Sequence, residues 1–128
     1  METGKIKLVA ADMDGTLLNR DRKITQYTQN VIKKAMAQGV YFVPATGRAV
    51  NALPPELKEM EGIRYGIFSN GATIYDLKEE KVIYKNHFEM DRVLELMDFL
   101  KQFDLMESIS LNGQSYANKK EMENIDYY

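Results

Sequence analysis

Asp12 and Asp14 stand two residues apart and are followed at once by Gly15 and Thr16. Alternate side chains on extended backbone share a face, so the two carboxylates are expected to open on one pocket. Two carboxylates so close repel each other. A divalent cation relieves that repulsion, and Mg2+ accepts few carboxylates together with water and phosphate oxygens. Alternatively, one of the pair keeps its proton and serves as an acid. Gly15 admits the positive φ of a tight turn, in which backbone N–H groups converge on an anion. A bare Asp-x-Asp is usually a solvated acidic turn, but Asp-x-Asp-Gly-Thr directly after an apolar run fits that reading poorly. Thr46-Gly47-Arg48 forms a second set. A hydroxyl, an unhindered amide and a guanidinium together suit phosphate oxygens. Taken alone, the set could be a helix cap, a turn and a surface charge. Asn70-Gly71 is a third candidate, either as a turn or as part of a pocket. His87 is the sole histidine and has no ligand-type neighbour, so it reads as a surface or packing residue.

These residues need elements to hold them. Residues 6–11 (Ile-Lys-Leu-Val-Ala-Ala) form an apolar run suited to a buried strand that ends at Asp12. Thr25 is placed to cap a helix carrying Val31, Ile32, Ala35 and Met36 at helical spacing, with Gly39 as its stop. Residues 40–45 read as a second buried strand with Pro44 near its end. Residues 49–60 are helix-like, with Val50, Leu53, Leu57 and Met60 on one face, and a break with a fresh start is expected at Pro54-Pro55. Residues 65–69 are a third strand. This order predicts an α/β fold, a parallel sheet buried on both faces, wrapped by helices and joined by right-handed crossovers. In such sheets the reactive loops lie at the carboxyl ends of the strands. That placement brings Asp12 and Thr46 together.

The pattern changes after Asn70. Residues 72–76 and 81–84 read as strands joined by a polar turn. An amphipathic helix follows over 91–103, with Val93, Leu96, Met97, Leu100 and Phe103 on one face. Two short strands then flank Asn112-Gly113, a strong hairpin signal. Residues 118–128 are polar. A module boundary is expected near residues 85–90, and the helix and hairpin beyond it offer little apolar surface for a separate core.

Composition narrows the classes. The chain has 128 residues, no cysteine, 17 Lys+Arg and 19 Asp+Glu, for a net charge of −2. Without cysteine there is no disulfide frame and no thiolate metal site. The near-neutral balance offers no basic stripe, so no nucleic-acid partner is expected. No apolar run reaches the roughly 20 residues of a membrane helix, so no membrane partner is expected either. The polar start lacks the apolar core of a signal peptide, and the expected location is cytoplasmic. The Gly-x-x-x-x-Gly-Lys-[Ser/Thr] phosphate loop is absent.

At Asp12-Met13-Asp14-Gly15-Thr16-Leu17-Leu18 the sequence resembles the haloacid-dehalogenase superfamily of phosphohydrolases. Ala45-Thr46-Gly47-Arg48 and Ser69-Asn70-Gly71-Ala72 make it similar to the Cof-type sugar-phosphate phosphatase branch, which carries a large cap domain. The resemblance implies a Rossmann-like sheet, present in part over 1–87, and the start of an α+β cap over 88–128. It implies Asp12 as nucleophile, forming an aspartyl-phosphate, and Asp14 as general acid/base. Mg2+ would rest on the Asp12 carboxylate and the Asp14 backbone carbonyl. Amides around Met13, the Thr46 hydroxyl and the Gly47 amide would hold phosphoryl oxygens, with Arg48 and Asn70 near the pocket. The implied substrate is a small phosphorylated metabolite.

The family also carries a later lysine and a later acidic motif, and Lys119, Lys120 and Asp126 lie in the wrong segment to replace them. The chain therefore reads as the amino-terminal part of a larger enzyme. The competing expectation is a catalytically incomplete chain that binds Mg2+ or phosphate weakly, or assembles with another chain. Self-association through an exposed first strand belongs to that reading. A phospho-accepting receiver domain fits less well, because the acidic pair sits on the first strand.

Overall fold

The computed structural model describes residues 5–105, 107–111 and 114–117. β1 (Leu8–Asp12) starts two residues later than the apolar run suggests and takes in Asp12 itself. It pairs in parallel with β2 (Tyr41–Ala45), in continuous register from Leu8↔Tyr41 to Asp12↔Ala45. Between them runs α1 (Gln26–Ala37). Thr25 caps it as expected, its hydroxyl accepting the Thr28 N–H at 3.2 Å. Gly39, at φ +82°, carries the chain out of the helix and into β2.

The stretch after β2 does not make one helix. Pro54 and Pro55 divide it into a single 3-10 turn at Val50–Ala52 and the four-residue α2 (Pro55–Lys58), which starts at a proline as a helix can. The expected apolar face survives the break, with Leu53, Leu57 and Met60 buried and Val50 packed against them. β3 (Tyr65–Phe68) then pairs in parallel with β2 at Ala45↔Ile67.

The sheet does not stop there. β4 (Thr73–Asp76) and β5 (Lys81–Lys85) add to it antiparallel, in the order β1-β2-β3-β4-β5. The five strands therefore form a mixed sheet, parallel only over its first three members. The turn from β3 to β4 is too short for a crossover, and a short turn joins only antiparallel neighbours.

Burial corrects one expectation. β2 buries Phe42, Val43 and Pro44 in succession, so it is covered on both faces. β1 is the outermost strand, and its residues are exposed except for half-buried Ala11. An edge strand lacks the neighbour whose side chains would cover it. On α1, likewise, Ile32 is buried while Val31 stays exposed. The core gathers Met13, Leu18, Ile24, Ile32, Phe42, Leu53, Leu57, Met60, Ile63 and Phe68. Phe68 is fully buried and its ring covers Gly66, where a Cβ would lie 2.5 Å from a ring carbon.

The chain divides into two compact units between Lys85 and Asn86. The second holds α3 (Met90–Leu100) and a hairpin of β6 (Ser108–Leu111) and β7 (Gln114–Ala117). No residue of α3 is buried; Val93, Met97 and Leu100 are half-buried, while Leu96 and Phe103 are exposed. The pairing Leu111↔Gln114 fits the expected two-residue connection, although Asn112-Gly113 and the polar segment 118–128 lie outside the described residues.

One buried charge organises the outer part of the sheet. Asp76, at the end of β4, is 2% exposed and accepts from Arg64 Nε and from the Lys78 and Glu79 amides, each at 3.0 Å. Burial pushes its carboxyl up, but the Glu79 amide, the Arg64 guanidinium and the Lys78 amide outweigh that and hold it below the ordinary aspartate value. A carboxyl depressed in the folded state stabilises above its unfolded pKa, and that contribution is lost as pH falls through the folded value. Urea unfolding of the wild type should therefore show the midpoint falling on acidification below the ordinary aspartate range. In Asp76→Asn the midpoint should be lower at neutral pH, and its acid dependence shallower.

Candidate functional site

The parallel register of β1 and β2 brings Asp12 and Ala45 level, so the segments that follow leave the sheet side by side. The first segment is a turn. Met13 sinks its side chain fully into the core, and its carbonyl accepts the Leu18 N–H at 2.9 Å. Gly15 takes φ +79°, as its position suggests. The second is the loop Thr46-Gly47-Arg48. It starts with Thr46 N–H donating to the Ile67 carbonyl at 2.9 Å, which continues the β2–β3 pairing by one step.

A hollow of about 330 Å³ opens at these strand ends, walled by Asp12, Ala45, Thr46, Gly47, Ile67, Asn70 and Gly71. Four of the residues singled out from the sequence, Asp12, Thr46, Gly47 and Asn70, thus meet there. Thr46 is 6% exposed, and its hydroxyl accepts the Arg48 N–H at 3.1 Å. That bond uses a lone pair, which leaves the hydroxyl proton available to donate. Among the described residues nothing accepts from the Gly47 N–H.

Asp14 is not where extended backbone would put it. The chain turns at Met13, and the Asp14 carboxylate is held outside the walls of the hollow by Arg48. Arg48 Nη2 donates to Oδ1 at 2.5 Å and Nε to Oδ2 at 3.0 Å, a two-point grip on a carboxylate 34 residues away in sequence. Nη1 also reaches the Ala52 carbonyl at 3.4 Å. Sequence reasoning assigned Arg48 to phosphate and Asp14 to a pocket shared with Asp12, and missed that the two satisfy each other. Opposite charges after the ends of two adjacent strands were visible, but the direction in which the turn sends the two side chains was not.

The turn after β3 is the third wall. Ser69, Asn70 and Gly71 take φ of +50°, +55° and +92° in succession. Glycine adopts this region freely and asparagine tolerates it, but serine does so at a cost of about 1 kcal/mol or more. Two bonds tie the turn to the Thr46–Arg48 loop, Asn70 N–H donating to the Thr46 carbonyl at 3.1 Å and Ser69 N–H to the Arg48 carbonyl at 3.0 Å, and Ala72 N–H closes it on the Ser69 carbonyl at 3.1 Å. Asn70-Gly71 is therefore a turn and a pocket wall at once. His87 is exposed and lies beyond the first unit.

The haloacid dehalogenase-like hydrolase model matches residues 9–128, nearly the whole chain. The chain belongs to that family. A protein of Buchnera aphidicola subsp. Schizaphis graminum is 36% identical to this haloacid dehalogenase-like chain over 121 residues, 92% of the chain and 43% of its own length. The 5-amino-6-(5-phospho-D-ribitylamino)uracil phosphatase of Bacillus subtilis is 36% identical over 89 residues, 66% of this chain and 36% of its own. A haloacid dehalogenase-like hydrolase structure from B. subtilis superposes with TM-score 0.80 at 26% identity, over 94% of this chain and 42% of that one. A sugar phosphatase of subclass IIB superposes with TM-score 0.76 at 26% identity, over 94% and 48%. The chain thus spans less than half the length of these relatives. Among the described residues no helix is long and apolar enough to cross a membrane.

The Arg48–Asp14 grip joins two loops at partly exposed positions, 29% and 54% exposed at their side chains. Pairs of this kind contribute modestly. A double-mutant cycle of Arg48→Met and Asp14→Asn in thermal unfolding should give a coupling of about 0.5–1 kcal/mol. Additive single effects would show that the two side chains do not hold each other in solution.

Proposed function

We propose that this chain carries the nucleophile and phosphate-binding part of a phosphohydrolase of the Cof-type branch, acting on small phosphorylated metabolites such as sugar phosphates. The observation that carries the reading is the hollow that Asp12, Thr46 and Gly47 line together at two parallel strand ends. An anionic nucleophile opposed by hydrogen-bond donors is what transfer of a phosphoryl group needs, since positioning and charge stabilisation supply most of the catalysis. On this reading residues 1–87 are part of the core and 88–128 part of a cap. The phosphatase names and the sugar phosphatase superposition among the relatives support it.

An Asp12 carboxylate oxygen attacks phosphorus and the ester oxygen leaves, giving an acyl phosphate on Asp12. Thr46 donates its free hydroxyl proton, and Gly47 its N–H, to the phosphoryl oxygens as their charge grows. Amides of the Met13 turn do the same from the β1 side. Asp14, once released by Arg48 and protonated from solvent, gives that proton to the leaving oxygen and then takes one from the water that hydrolyses the acyl phosphate. Arg48, which grips Asp14, fixes where that carboxylate starts from.

The donor set suits Mg2+. Among the described residues no three acidic or histidine side chains gather into a cage. Mg2+ is bound by one or two protein oxygens with water and phosphate completing its shell, and the Asp12 carboxylate with the Asp14 carbonyl would supply those two. Bound there, the ion would neutralise charge on the phosphoryl oxygens.

Hydrolysis of a generic phosphate monoester by the 128-residue chain, with and without Mg2+, tests the reading. Turnover should depend on Mg2+ and vanish in Asp12→Asn. In Thr46→Val it should fall by about 10²–10³, the usual loss for one such donor. Turnover that survives Asp12→Asn would rule the assignment out.

A further inference from the structure

The Ser69–Gly71 turn is built in a way that its role as a connection does not require. Three consecutive left-handed residues are an expensive way to join two antiparallel strands, and a two-residue turn with one glycine would do. What the costly geometry achieves is contact with the neighbouring loop. It aims the Ser69 and Asn70 amides at the Arg48 and Thr46 carbonyls, at 3.0 and 3.1 Å. It also lays the Asn70 carboxamide against Gly47. A Cβ at position 47 would lie 2.8 Å from Asn70 Oδ1 and 3.4 Å from both Cγ and Nδ2. Gly47 does not have a positive φ; what a side chain there would meet is the Asn70 carboxamide, which would have to move aside.

From this we infer that Asn70 is a positioning residue for the Thr46-Gly47 donor pair, a brace whose carboxamide sets the direction of the Gly47 N–H. The inference rests on the phosphohydrolase reading for what that N–H binds, but the brace itself is a property of the two loops. The amides on either side of Gly47 are tied, Thr46 N–H to Ile67 and Arg48 N–H to the Thr46 hydroxyl. Among the described residues the Gly47 N–H is the donor between them without a partner, and a glycine there is free to rotate unless something packs against it. Asn70 is the side chain that does so.

The test uses Asn70→Gly, which keeps the left-handed backbone available and removes the side chain, carboxamide included, together with Gly47→Ala and the double variant. Two readouts are taken on the full chain: the NMR order parameter of each backbone N–H, and affinity for inorganic phosphate in the presence of Mg2+. In Asn70→Gly, the order parameter at Gly47 should drop from the rigid range, about 0.85, to below about 0.6 while those of β4 are unchanged, and phosphate should bind about tenfold more weakly, because a misaimed donor loses its contribution. Gly47→Ala should weaken phosphate binding further, by pushing the carboxamide aside. The double variant should bind better than Gly47→Ala alone, since the new methyl then has room; a merely structural role would make the double variant worse. An unchanged Gly47 order parameter in Asn70→Gly, or a double variant no better than Gly47→Ala, would overturn the brace. If the wild type binds no phosphate, the phosphohydrolase reading falls, and the Gly47 order parameter still decides whether Asn70 holds that amide.

Discussion

The site depends on one register. β1 and β2 pair in parallel from Leu8↔Tyr41 to Asp12↔Ala45 without a slip, so the strands end on the same level. A shift of one residue would turn Asp12 to the other face of the sheet and separate it from Thr46. The register is held by burial more than by the strands themselves. Phe42 on β2 and Ile32 on α1 belong to the same core as Met13, directly after β1. Because the fully buried Met13 lies between Asp12 and Asp14, the core anchors the acidic turn from its middle.

Around that register the loops stiffen one another. Thr46 is tied to β3, Arg48 to the Asp14 side chain and the Ser69 amide, and Asn70 to the Thr46 carbonyl. The strained φ values fall in the third loop, where hydrogen bonds to the second hold them in place. The strained turn is thus tied to the loop that carries Thr46 and Gly47, the donors that the proposed phosphoryl transfer needs held in place. The Asp76 network works on the same sheet further out. It closes the β4–β5 turn with two backbone amides and ties Arg64, just before β3, to the far end of β4.

Much of this was legible in the residues. Asp12, Thr46, Gly47 and Asn70 could be brought together from strand order alone, because parallel strands present their carboxyl ends on one edge. Thr25, Gly39 and the paired prolines marked helix limits by local chemistry. Two features were not legible. The Asp14–Arg48 grip depends on where a turn directs two side chains, and periodicity carries no such information. β4 and β5 read as separate strands, yet joining them to the parallel sheet depends on how tightly the Ser69–Gly71 turn closes. The apolar run of β1, taken alone, reads as a buried strand; an exposed first strand was expected only on the incomplete-chain reading, and β1 does lie exposed at an edge of the sheet.

The central claim is that Asp12, and no other carboxylate, takes the phosphoryl group. The most direct measurement is to quench the chain with borohydride during turnover of a phosphate monoester with Mg2+, then map the peptides by mass spectrometry. Borohydride reduces an acyl phosphate to an alcohol and leaves free carboxylates untouched. Reduction confined to position 12 is the expected result. Reduction at Asp14, or turnover with residue 12 unmodified, would contradict it.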